Sequence, residues 1–181
     1  MSTSNKETES ELYRINNQLC CFSPNGQYFA LAFEKKLIIK TQIFNNLYCL
    51  DFKEIIECLE WAPNSEFILC ANMKNAVIQV YYLSCLQWKC RLIEGSNGLT
   101  NVTWSPDSNS FITFGDFNIQ ISIWNMENQT VSFIQNLKSS VSNQLYFSPN
   151  GERLAIITTD NGQDAVEIYK TSSLKISKVK K

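Results

Sequence analysis

Phe22-Ser23-Pro24-Asn25-Gly26 has three close counterparts in the same chain: Trp61-Ala62-Pro63-Asn64-Ser65, Trp104-Ser105-Pro106-Asp107-Ser108 and Phe147-Ser148-Pro149-Asn150-Gly151. All four prolines of the protein sit in these pentads. The leading aromatics recur after 39, 43 and 43 residues, and a fixed period of about 40–45 residues is the mark of propeller blades. Each pentad has a physical task. The aromatic ends a strand and is expected to point into a core. Proline presets φ and has no N–H to give a ladder, so it starts a turn. Asn or Asp, then Gly or Ser, complete that turn.

Around each pentad the same plan repeats. A strand enters it at 18–22, 57–61, 100–104 and 143–147. A second strand leaves it, as in Phe67-Ile68-Leu69-Cys70-Ala71 or Phe111-Ile112-Thr113-Phe114-Gly115; these unbroken apolar runs suit strands buried on both faces. A third strand follows at 36–40, 77–81, 119–124 and 165–169. The fourth, at 47–52, 88–93, 130–135 and 174–179, is more polar and suits an outer, solvent-facing position. No segment carries a sustained helical period. The expected fold is therefore all-β, with four four-stranded antiparallel blades over about 18–53, 57–94, 100–135 and 143–179. A lone blade cannot bury both apolar faces, so its stability comes from its neighbours. Residues 1–10 carry nothing to bury and are expected to be disordered. Residues 11–15 alternate apolar and polar and read as a short strand ahead of the first repeat.

Net charge is −1 and only three of the sixteen basic residues are arginine, which argues against direct nucleic-acid binding or a phosphate reader. No apolar run is long enough to span a membrane, and residues 1–11 do not resemble a signal peptide. The expectation is a cytosolic or nuclear protein whose seven cysteines stay reduced. Cys20, Cys58 and Cys70 fall in apolar strand patterns and read as small buried hydrophobes. With no histidine and no clustered thiols, neither a metal site nor a cofactor is expected. The chain also lacks a nucleophile elbow, a phosphate loop and a neutral-pH acid–base group, so no catalytic residue is assigned.

The ending Ile123-Trp124-Asn125 resembles the Trp-Asp close of the WD-repeat superfamily. Its equivalents, Tyr81-Tyr82, Tyr169-Lys170 and Lys40-Thr41, are degenerate, and without histidine the superfamily's buried His–Asp network has no counterpart. The structural blade anchors are read as Phe22, Pro24, Trp61, Pro63, Trp104, Pro106, Trp124, Phe147 and Pro149. A closer likeness runs from Glu11-Leu12-Tyr13-Arg14-Ile15 through Leu19-Cys20-Cys21-Phe22. It continues in Ile56-Glu57-Cys58-Leu59-Glu60-Trp61, in Trp88-Lys89-Cys90 and in Glu94-Gly95-Ser96-Asn97-Gly98-Leu99. These stretches resemble the centrosomal family known as WD-repeat protein eight. That resemblance implies a non-enzymatic scaffold at centrosomes, basal bodies or spindle poles. It would act with a coiled-coil microtubule-anchoring protein, and in some lineages with a minus-end-directed kinesin; the family is also linked to cilium assembly. Members of that family are longer and carry further repeats, whereas this chain stops at Lys181 where a fifth would begin. Residues 11–15 resemble the strand that closes a WD ring, but the blade they would match is missing. Three arrangements follow: a fragment or shortened product forming an open partial propeller, a tight four-blade ring, or completion by a second chain, with self-association through open blade edges.

For partner binding, Trp88, Glu94 and Ser96 are singled out. Trp88 is either an exposed anchor or packing on the outer strand. The loop at 94–98 either contacts a ligand or is a turn that needs glycine dihedrals. The basic end, 175–181, either touches an acidic surface such as a microtubule or is a solvated strand end.

Overall fold

The computed structural model describes residues 19–43, 45–85, 89–95, 98–115, 120–135, 145–160, 163–171 and 176–180. The first sheet holds β1 (Cys20–Phe22), β2 (Tyr28–Phe33), β3 (Lys36–Thr41) and β4 (Asn46–Asp51). The second holds β5 (Cys58–Trp61), β6 (Phe67–Asn72), β7 (Val77–Tyr82) and β8 (Lys89–Ile93). In the third are β9 (Leu99–Trp104), β10 (Ser110–Gly115), β11 (Gln120–Asn125) and β12 (Thr130–Gln135). The fourth has β13 (Leu145–Phe147), β14 (Arg153–Asp160), β15 (Gln163–Lys170) and β16 (Ile176–Lys180). Each sheet is antiparallel with its strands in chain order. No helix occurs among the described residues.

Four congruent turns start the blades. Gly26, Ser65, Ser108 and Gly151 donate their N–H groups to the carbonyls of Ser23, Ala62, Ser105 and Ser148 at 2.8–3.0 Å. The side-chain oxygens of Asn25, Asn64, Asp107 and Asn150 accept from the N–H two residues on, at 3.0–3.2 Å. This is the local bonding that favours Asn and Asp in turns.

Strand parity builds the core. In the second sheet Trp61, Ile68 and Tyr81 are register partners, as are Glu60, Leu69 and Val80. Side chains alternate across a strand, so the first set packs on the first blade with Ala30, Leu37 and Ile39. The second set's Leu69 and Val80 pack on the third blade with Val102, Trp104 and Phe111. A third cluster, including Ile112, Phe114, Ile121, Leu154, Ile156 and Tyr169, joins blades three and four. No cluster of buried side chains joins blade four to blade one among the described residues. Among the described residues, the four sheets are therefore open and joined at three seams.

Three expectations need correction. Phe22 is 59% exposed, whereas Trp61 and Trp104 are 6% and 4% exposed. An anchoring ring packs on the blade before its own, and Phe22 belongs to the first blade; its described ring contact is with Phe29 of its own sheet, at 4.8 Å. Cys20 is exposed, Cys58 half-buried and Cys70 buried, because Cys20 shares the Phe22 face of β1. Finally, β14 alternates: Leu154, Ile156 and Thr158 are buried while Ala155 and Ile157 are half-buried. One face of that sheet meets blade three, and no described blade covers the other. The predicted strand at 11–15 and the predicted disordered stretch at 1–10 lie outside the described residues.

Candidate protein-interaction surface

Several polar contacts cross the seam between blades two and three. The Trp104 indole stacks on Phe67 at 6.1 Å and donates from Nε1 to the Glu60 carbonyl at 3.4 Å. The Glu60 carboxylate accepts from the Thr103 hydroxyl at 3.3 Å and from the Trp104 N–H at 3.4 Å. Burial holds this carboxyl above its ordinary range, and those two hydrogen bonds partly offset the rise. Asn64 N–H donates to the Ser108 hydroxyl at 2.9 Å, crossing the same seam.

Glu94 follows β8, and its N–H is fixed by the Ala76 carbonyl at 2.9 Å. Its Oε1 accepts a hydrogen bond from Ser122 Oγ on β11, which ties the loop to blade three. Its Oε2 is buried without a hydrogen-bond partner, as is the hydroxyl of Thr113, the register partner of Ser122. Gly95 and Gly98 of this loop have φ of 69° and 72°. A Cβ at Gly98 would lie 3.2 Å from the Met73 carbonyl oxygen and 3.3 Å from that of Lys74. Backbone conformation and close approach thus both require glycine there. Trp88 and Ser96 lie outside the described residues, so of the three predicted contact residues only Glu94 is placed.

Next to Trp88 in the chain, β8 borders a cleft of about 380 Å³ lined by Lys89, Leu92, Trp124, Asn125 and Met126 among others. An adjoining hollow of about 650 Å³ shares Met126 and Gln129 with it and adds Phe67, Tyr82 and Glu127. Trp124 stacks on Phe111 at 6.4 Å, and its Nε1 is buried without a partner. Two of the other residues at this register, Tyr81 and Tyr169, donate their hydroxyls to Gln79 and Glu167 two residues earlier. In blade three that position is Ser122, whose hydroxyl donates to Glu94. The rim cation Arg91 pairs with Glu54 at 2.7 Å. The result is an aromatic and methionine-lined groove with mixed charge at its edge. It suits contact with a protein surface. Individual residues gave no sign of it, because its lining comes from two repeats.

Nothing among the described residues groups three metal-ligating side chains. Three of the thiols are held back by their environment: burial pushes Cys21 and Cys58 up to about 11, and Cys70 well above its ordinary value. No described helix is long and apolar enough to cross a membrane.

Comparisons agree with this architecture. A family model described as "Eukaryotic translation initiation factor eIF2A" matches residues 78–181. The mouse protein named "WD repeat-containing protein WRAP73" is 34% identical over 164 residues, which is 88% of this chain and 35% of that one. An uncharacterised WD repeat-containing protein of Schizosaccharomyces pombe is 23% identical over 124 residues, covering 67% of this chain and 26% of its own. The chain thus spans between about a quarter and about a third of the length of these curated relatives. Among solved structures, the Cps50 (Swd1) beta-propeller domain of Myceliophteria thermophila superposes with a TM-score of 0.67 at 12% identity. That match covers 94% of this chain and 58% of the domain. A chain of Kuenenia stuttgartiensis hydrazine synthase gives 0.66, also at 12% identity, covering 96% and 52%. At that identity both show a shared fold and nothing more.

Proposed function

The chain belongs to the WD-repeat proteins, in the family described as eukaryotic translation initiation factor eIF2A, and we propose that it is a non-enzymatic scaffold for protein partners at a centrosome, basal body or spindle pole. The observation that carries this reading is the 34% identity to mouse WRAP73 across 88% of the chain, alongside the resemblance to the centrosomal family. Its partners would be a coiled-coil microtubule-anchoring protein and a minus-end-directed kinesin. In this reading residues 11–181 act as one partial propeller in the cytoplasm and cytoskeleton. Contact falls on Trp88, Glu94 and Ser96 and on the groove beside β8.

A second reading has its own support. The family model covering 78–181 favours a propeller module of the translation machinery. One experiment separates the two: proximity labelling from the tagged chain, with imaging of the same cells. Pole-focused signal with coiled-coil or kinesin neighbours supports the first reading. Diffuse signal with ribosomal neighbours overturns it in favour of the second. Within the first, folded Trp88→Ala and Ser96→Glu variants that label those neighbours as strongly as the parent would remove both residues from the contact.

A further inference from the structure

We infer that the seam between blades three and four is a hinge, so that blade four opens as a unit while blades one to three stay closed. The inference is independent of the functional reading above, because it concerns only which seam yields. The first two seams are made from the same three cross-blade parts. A ring at the head of the second strand stacks on the next blade's tryptophan: Tyr28 on Trp61 at 6.0 Å and Phe67 on Trp104 at 6.1 Å. That tryptophan's Nε1 donates to the carbonyl just before the preceding blade's anchor: Trp61 to Cys21 at 3.3 Å and Trp104 to Glu60 at 3.4 Å. The N–H of the fourth pentad residue donates to the next blade's serine: Asn25 to Ser65 at 3.0 Å and Asn64 to Ser108 at 2.9 Å.

At the third seam all three parts are lost through three residue identities. Ser110 stands where Tyr28 and Phe67 supply a ring. Phe147 stands where Trp61 and Trp104 supply an N–H. Gly151 stands where Ser65 and Ser108 supply a hydroxyl. The frame itself is kept: a Cβ at Gly151 would lie 3.9 Å from the Pro106 Cβ, so the fourth pentad still abuts the third. Among the described residues, none of the three cross-blade parts of the first two seams has a counterpart at this one. The apolar cluster around Ile112, Phe114, Leu154 and Ile156 joins the two blades there. Such burial is non-directional, whereas aligned hydrogen bonds and ring stacks fix a seam's geometry. Phe147 and Ser148 are accordingly only half-buried, while Trp104 and Ser105 are buried. Opening would uncover the apolar face of β10 and β11, a surface that protein partners use.

Native-state hydrogen exchange on the full chain tests this. Amides of β14 and β15 should exchange about tenfold or more faster than those of β6, β7, β10 and β11. The triple variant Ser110→Tyr, Phe147→Trp, Gly151→Ser restores the missing parts and should slow β14 and β15 toward the rest. If the bare outer face of blade four alone set its exchange, that variant would leave the rates unchanged, which overturns the hinge. Should the triple variant fail to fold, the reverse exchange decides. Phe67→Ser, Trp104→Phe, Ser108→Gly should loosen blade three against blade two, and uniform exchange across the chain after that change would refute the inference.

Discussion

Ser108 sits in a conformation that costs it free energy, and its hydroxyl explains why it stays. Its φ is 62°, in the left-handed region, where an L-residue is disfavoured by roughly 1–2 kcal/mol. It is 2% exposed, and its Oγ accepts from the Asn64 N–H of blade two at 2.9 Å. Replacing Ser108 with alanine keeps the unfavourable φ and removes the acceptor. A typical net hydrogen bond contributes about 1 kcal/mol, and stranding a partly buried donor raises the loss to about 1–2 kcal/mol. Replacing it with glycine removes the same acceptor but releases the backbone penalty, so the two changes offset within about 0.5 kcal/mol. The larger truncation should therefore be the milder one. Urea unfolding followed by tryptophan fluorescence, read as midpoints at constant slope, gives both values. Ser65, with φ of 65° and the Asn25 N–H at 3.0 Å, should repeat the pattern. A glycine variant at least as unstable as the alanine variant at both positions would refute the account, because the left-handed φ would then carry no cost for the hydroxyl to offset.

Other consequences are equally direct. Trp104→Ala removes a ring that stacks on Phe67 and packs edge-on against Phe111, and should cost about 3–5 kcal/mol; an unchanged urea midpoint would contradict its place in the core. Trp104→Phe keeps most of the packing and loses the bond to the Glu60 carbonyl, so a smaller loss of about 1 kcal/mol is expected from the same titration. Burial raises the Glu60 carboxyl, so its contribution to stability is full below its unfolded value and is lost as pH rises through the folded one. Relative to Glu60→Gln, the parent protein should lose stability as pH climbs out of the acid range, and a difference that is flat with pH would count against a buried, raised carboxyl. Thiol labelling at neutral pH should modify Cys20, Cys49 and Cys85 first, leave Cys21 and Cys58 slow with pKa values of about 11, and reach Cys70 only on unfolding. Fast labelling of Cys70 in the native protein would place it at the surface.

Blade number, strand order and the turns were legible in the residues themselves, because each depends on interactions within one repeat. A proline stops a ladder wherever it stands, an Asx side chain bonds two residues along, and a run such as Phe67-Ile68-Leu69-Cys70-Ala71 must bury alternate side chains on opposite faces. Which ring found a cover was a different matter. Phe22 and Trp104 occupy the same place in their pentads, yet one is 59% exposed and the other 4%, since each anchor is buried by the blade that precedes it. Glu94 stands out in the sequence only as a loop residue, and the packing of blade three is what brings Ser122 to its carboxylate. The groove at Trp124 and the contrast between the seams are of the same kind. The sequence by itself determined what each blade is, through local bonding and strand parity. Tertiary structure alone decided what each blade face meets, because a cross-seam bond needs two groups some forty residues apart at hydrogen-bond distance, and that distance exists only once the blades have stacked.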